Sequence, residues 1–316
     1  MAHVHSSDRI RRRHNRRNIL QSVLLLGGML GLLAACAWLL VGGEGVLWVL
    51  LGGAIGLLLS PRVPAAAAMR WFGARRIPVH DLPAVFRAVD RLSVRAGLPA
   101  PPALYYLPDG GLNSFAVGRR EDSAIVLTDG MLRYLTLRET VAVIAHEISH
   151  IAGNDLWVMQ LADTISRMTR MMSFVGIAIG LVSLPLMLLG RADMPWLAIL
   201  LLVLAPGLAS LLQMALSRTR EFDADMEAAT LTGDPAGLAM ALGKIERIIR
   251  PLWQNIVLPH GRSGEPSLLR THPATEERIA RLRSLESFDN AEQRAEEPLS
   301  RAWPGAAPAG RRRLWW

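Results

Sequence analysis

TVAVIAHEISHIAGND, residues 140–155, sets two histidines and a glutamate into an otherwise apolar run. Polar side chains in such a setting are costly unless something satisfies them. The spacing predicts a helix from Arg138 to Ala152, broken near Gly153 and Asn154. Residues four apart on a helix share a face, so His146 and His150 can both turn an imidazole toward one zinc ion, with Glu147 one step round to hold a water. That is the arrangement of a metallohydrolase. A catalytic zinc takes three protein ligands and keeps a further position open. Cys36 is the only cysteine, and no HxxGxxH extension follows His150, so the third ligand is a histidine or carboxylate elsewhere.

The best candidate is Glu221, in SRTREFDADMEAA (217–229). Asp225 lies four residues on and shares its helical face, where it can accept a hydrogen bond from the second ring nitrogen of a ligand histidine and fix its tautomer. Asp223 and Glu227 are rivals, the first pointing to a different face and the second lying farther round the helix.

Composition says where this site resides. Of 316 residues, 51% are hydrophobic and 20% charged, a balance that points to membrane spans beside a soluble part. Four stretches lack Asp, Glu, Lys and Arg: 19–41, 45–60, 171–190 and 194–216. Three are long enough to cross a hydrocarbon core, whereas 45–60 is short and needs tilt or thinning. Arginines cluster before the first stretch (Arg9 to Arg17), after the second (Arg62, Arg70, Arg75, Arg76) and around the second pair (Arg167, Arg170, Arg218, Arg220), while the other side offers Arg191. The positive-inside rule then puts both termini and the HEISH segment in the cytoplasm. The net charge of +8 suits anionic lipid headgroups rather than nucleic acid, because the arginines sit beside apolar runs. A second reading of the N-terminus exists, since LAAC ending at Cys36 resembles a lipoprotein box and RRNIL a twin-arginine signal; the apolar run continues past Cys36 to Val41, as in a retained anchor.

The resulting plan is a basic cytoplasmic head (1–18), a transmembrane hairpin (19–63), a first catalytic segment (64–170), a second hairpin (171–216), a second catalytic segment (217–286) and a loose tail (287–316). In the soluble part, Val85, Phe86, Val89 and Leu92 have helical spacing, and ALYYL, NSFAVG and SAIVLT read as short strands separated by turn chemistry. Because Glu221 comes five residues after Leu216, the zinc is expected close to the membrane surface.

NSFAVG, AIVLTDGML running into ETVAVIAHEISHIAGND, SRTREFDAD and THPATEERIARL occur in the order seen in a known family. From about Asp81 to Leu285 the chain resembles the membrane-bound zinc metallopeptidases that include the bacterial heat-shock protease HtpX and the CAAX prenyl endopeptidases. The resemblance implies a mostly α-helical, gluzincin-like α+β catalytic domain with a small β-sheet, plus four transmembrane helices, in the bacterial inner membrane. It implies one zinc ion held by His146, His150 and Glu221, with Glu147 as general base and Asp225 behind the ligands. Asn113, Ser114, Phe115 and Ala116 would form an edge strand on which substrate lies, and His272 would approach the site. His272 or Arg278 is a candidate to stabilise the oxyanion. The expected activity is endoproteolysis of unfolded or membrane-tethered polypeptides in quality control. The alternatives are a CAAX-like peptide-processing protease, for which four spans look too few, and an inactive zinc-binding scaffold, which would not need Glu147. The basic head and Arg-rich tail depart from typical HtpX members.

Overall fold

The computed structural model describes residues 2–58, 64–189, 196–254 and 275–285. His272 and the tail lie outside the described residues. By packing, the chain divides into two compact units, Met1–Arg62 with Trp157–Arg220 and Val63–Leu156 with Glu221–Trp316.

The first unit is helical. Helix α1 (Ala2–Leu58) is interrupted at Gly42, whose backbone (φ 76°, ψ −170°) is far from helical and lies where glycine is at ease. Much of α6 (Asp155–Leu188) and of α7 (Trp196–Thr232) completes the unit, with Pro185 and Pro206 inside them. Met29 and Leu33 of α1 bury against Ala162 and Ile165 of α6 and Leu216 of α7, while Cys36 packs with Leu202 and Ala205. Large apolar side chains such as Leu24, Trp48, Phe174, Val182, Leu197 and Leu211 point outward and stay exposed. Exposed apolar surface on this scale fits lipid, not water. Among the described residues, three helices are long and apolar enough to cross a membrane, Leu20–Ile55, Asp155–Pro185 and Trp196–Thr232. The sequence led to an expectation of four. The difference arises at Gly42, because runs 19–41 and 45–60 join in one helical stretch with a single break.

The second unit carries a four-stranded mixed sheet in the order β1-β2-β4-β3. Its strands are β1 (Arg75–Arg76), β2 (Ala103–Leu107), β3 (Ser114–Gly118) and β4 (Ser123–Thr128). β2 runs parallel to β4, and β3 pairs antiparallel with β4 in the register Ser114↔Leu127 to Gly118↔Ser123. The strand reading of the sequence therefore holds for β2, β3 and β4. β4 is buried along its length, as a central strand should be, and β3 is an edge. Ser114 and Ala116 are buried, whereas Phe115 and Val117 turn to the other face and pack with Ala65 and Met69 of α2 (Ala65–Trp71).

Two details fix where β3 begins and ends. At its start, the N–H of Asn113 donates to the Thr128 hydroxyl oxygen (3.0 Å) and the N–H of Thr128 donates to the Asn113 carbonyl (3.2 Å). At its end, Gly118 has φ 98°, and a Cβ there would lie 2.1 Å from the carbonyl oxygen of Asp122.

The remaining helices are α3 (Pro83–Arg95), α4 (Asp129–Tyr134), α5 (Leu137–Ala152), α8 (Pro235–Gln254) and α9 (Thr275–Arg283). α5 is the centre of the core. Every residue from Ala142 to Ser149 is buried, and Ile144 and Ile148 join Val85, Val89, Leu104, Ile125 and Leu282 in one cluster. Thr136 and Glu139 cap α5 reciprocally, each side chain meeting the other's main-chain N–H, which contributes roughly 1 kcal/mol and sets where the helix starts. The HEISH residues lie in the last two turns of this anchored helix.

Gly118→Ala should destabilise the second unit by about 1–3 kcal/mol, since it combines an unfavourable φ with a backbone clash. Thermal unfolding of the purified protein measures this. An unchanged midpoint would mean that the β3–β4 turn relaxes freely and does not fix the strand.

Candidate metal centre

His146 and His150 project from one face of α5, with ring centroids 4.6 Å apart and planes at 85°. Their Nε2 atoms are 3.1 Å apart. Glu221 of α7 faces both, with Oε2 at 3.5 Å from His146 Nε2 and Oε1 at 3.6 Å from His150 Nε2. One ligand atom from each residue falls within a 4.8 Å cluster. His146 and Glu221 are buried.

Behind these donors stands a second layer of charge. Asp225 Oδ1 lies 3.1 Å from His146 Nδ1, and Asp155 Oδ2 lies 2.8 Å from His150 Nδ1. Arg278 of α9 grips Asp225 with a two-pronged fork, Nε donating to Oδ2 (2.7 Å) and Nη2 to Oδ1 (2.6 Å). Its Nη1 is 3.2 Å from Glu221 Oε2. Burial works against the charge on Arg278, but Asp225 and Glu221 outweigh it and hold the guanidinium more firmly protonated than usual.

This donor set fits a cation. A carboxylate beside each Nδ1 favours the tautomer with hydrogen there, which leaves two Nε2 lone pairs facing one another across 3.1 Å. Such a pair repels unless a positive centre sits between or beside it. The same demand is visible in the acid–base balance: burial lowers both histidine pKa values, yet Asp155 and Glu221 push His150 up to about 10, and Asp225 and Glu221 push His146 up as well. In solution a divalent metal competes with that proton for the same lone pairs.

Glu147 is buried beside the histidines and accepts a hydrogen bond from the Ser114 hydroxyl, Oγ to Oε1 2.8 Å. Of the residues singled out from sequence, the structure thus gathers His146, Glu147, His150, Glu221, Asp225 and Ser114. Ala116 lies on the same face of β3 as Ser114, Asn113 precedes the strand, and Phe115 faces the opposite side, edge-on to Phe72 at 5.5 Å. Glu227 and Asp223 are not in the triad. Arg278, considered for the oxyanion, contacts Asp225 and Glu221. Asp155 was missed by sequence reasoning. It enters through Asn154, whose positive φ of 55° turns the chain between α5 and α6. The only available signal was its place just after a helix-ending Gly-Asn pair.

Two histidines a turn apart, a carboxylate from a distant helix and a neighbouring glutamate define a metallopeptidase-type centre. The model of peptidase family M48 matches residues 81–286 of the chain. Protease HtpX homologs resemble it over most of its length: that of Acidiphilium cryptum is 35% identical over 292 residues, covering 86% of this chain and 98% of its own. That of Nostoc punctiforme is 34% identical, covering 85% and 96%. The crystal structure of S. mikatae Ste24p is similar at 18% identity and a TM-score of 0.49, covering 85% of this chain and 66% of that one. The chain belongs to peptidase family M48. It is a membrane metalloprotease, with His146, His150 and Glu221 as its candidate metal site.

Replacing Glu221 by Ala should strip most of the bound metal, and Asp155→Ala or Asp225→Ala should each weaken metal affinity by roughly 10- to 100-fold, as losses behind a ligand do. Competition with a chromophoric chelator reads all three. Full metal content in Glu221→Ala, with loss in Glu227→Ala instead, would reassign the third ligand.

Proposed function

We propose that this protein is a multi-pass, zinc-dependent endopeptidase of the bacterial inner membrane that cleaves unfolded or membrane-tethered polypeptides on the cytoplasmic side. The observation that carries the reading is the buried triad with Glu147 next to it on α5.

His146, His150 and Glu221 would hold zinc, which when bound would supply Lewis acidity to the scissile carbonyl and to water. Glu147 takes the proton of the attacking water and returns it to the leaving amine. Asp155 and Asp225 hold the imidazoles in orientation, and Arg278 keeps Asp225 and Glu221 in place. An extended substrate adds to the outer edge of β3, which pairs only with β4 among the described strands, using main-chain hydrogen bonds that ask little of side chains. This suits a quality-control protease, whose substrates share exposed main chain rather than sequence.

We also propose that α1 forms two antiparallel spans, four in all with α6 and α7, meeting at Gly42. The contacts within the first unit support this. Met29 and Leu33 cluster with Ile165, and a Cβ on Gly176 would lie 3.0 Å from Leu40, so this part of α1 advances alongside α6. Farther on, a Cβ on Gly53 would lie 3.1 Å from Met168, back toward the start of α6. With the arginine asymmetry, that return keeps both termini and the second unit cytoplasmic.

Glu147→Gln should retain its metal and lose at least ~100-fold in peptide turnover, the usual scale for a general base. Undiminished cleavage by this variant with metal bound sinks the mechanism. For orientation, in a Cys36→Ser background a cysteine at Glu44 should react with an impermeant maleimide on spheroplasts, and one at Glu121 should be protected. The opposite pattern would place the active site outside the cytoplasm.

A further inference from the structure

β3 has two jobs that meet at one residue. In an antiparallel pair, residues alternate between those whose main-chain groups face the partner strand and those whose groups face away. The Asn113 carbonyl accepts from Thr128 N–H, so Asn113 faces β4. By alternation Phe115 and Val117 do too, while the N–H and C=O of Ser114 and Ala116 face outward, along an edge that no described strand covers. Side chains alternate the other way. Ser114 turns its hydroxyl inward, where it donates to Glu147 Oε1 at 2.8 Å, a contact buried from solvent.

We propose that Ser114 is a positioning residue for the catalytic glutamate: its hydroxyl fixes one carboxylate oxygen of Glu147 and leaves the other to receive the proton of the attacking water. This rests on Glu147 being the general base. The hydrogen bond is short, buried and made to a carboxylate, which is the stronger class. It also crosses between elements, since Ser114 belongs to the sheet edge and Glu147 to α5. The residue that meets substrate through its main chain thereby holds the base through its side chain. Substrate alignment and base alignment share one rigid strand, whose start is tied down by Thr128 and whose end is set by Gly118.

A serine that merely satisfied a buried carboxylate would affect folding and metal loading. A positioning serine also sets turnover, with metal loading and KM intact. The substitution Ser114→Ala removes the hydroxyl and leaves the outward main-chain groups intact. In full-length protein in detergent or nanodiscs, it should lower kcat by about 10- to 100-fold, the range for losing a hydrogen bond to a charged group. KM, bound metal and the affinity of an extended peptide for metal-free protein, read by fluorescence anisotropy, should all be unchanged. Ser114→Thr keeps the hydroxyl and suits a strand, and should recover most of kcat. Three results overturn the inference: an unchanged kcat in Ser114→Ala, a loss that appears in KM or metal content instead, or a Ser114→Thr as slow as Ser114→Ala. Glu147→Gln run alongside separates the two readings. If it stays active the general-base reading falls, and if it is inactive while Ser114→Ala is fully active only the role of Ser114 falls.

Discussion

Everything at the candidate metal centre follows from a problem of buried charge. Glu147, Asp155, Glu221 and Asp225 are all shielded from water, and Arg278 is the guanidinium that reaches two of them. An uncompensated buried carboxylate costs several kcal/mol, while a whole domain is stable by only about 5–15 kcal/mol. The fold can hold this arrangement because positive charge is drawn in, by Arg278 on one side and by a metal or protons at the imidazoles on the other. The carboxylates that raise both histidine pKa values are the same groups that favour a cation at the candidate metal site.

That balance needs rigid supports, and the second unit provides them. α5 is buried along its functional length and capped at its start. It lies against β3, whose position is set by the Asn113–Thr128 exchange and by a turn that only glycine fills without strain. The ligands, the base and the edge strand are therefore fixed by main-chain pairing and apolar packing, not by loops.

The parts of this design that repeat locally were legible in the sequence. A spacing of four placed His146 with His150 and Glu221 with Asp225, because helical periodicity needs no knowledge of the rest of the fold. Short strand-like runs separated by turn residues likewise revealed β2, β3 and β4. What escaped were partnerships across elements. Asp155 reaches His150 only because Asn154 turns the chain, and Arg278 lies on a helix whose docking no local pattern encodes. Ser114 was seen as part of a strand, but its inward direction depends on register with β4. The sequence separates the apolar runs 19–41 and 45–60 at residues 42–44, and in the structure the helix continues on both sides of Gly42, the non-helical residue there.

Arg278 comes from α9, the last described element in chain order. A chain still being synthesised can complete α5, the sheet and α7 while Asp225 and Glu221 still lack Arg278. The charge balance of the candidate metal centre is therefore completed by one of the later-made residues of the chain.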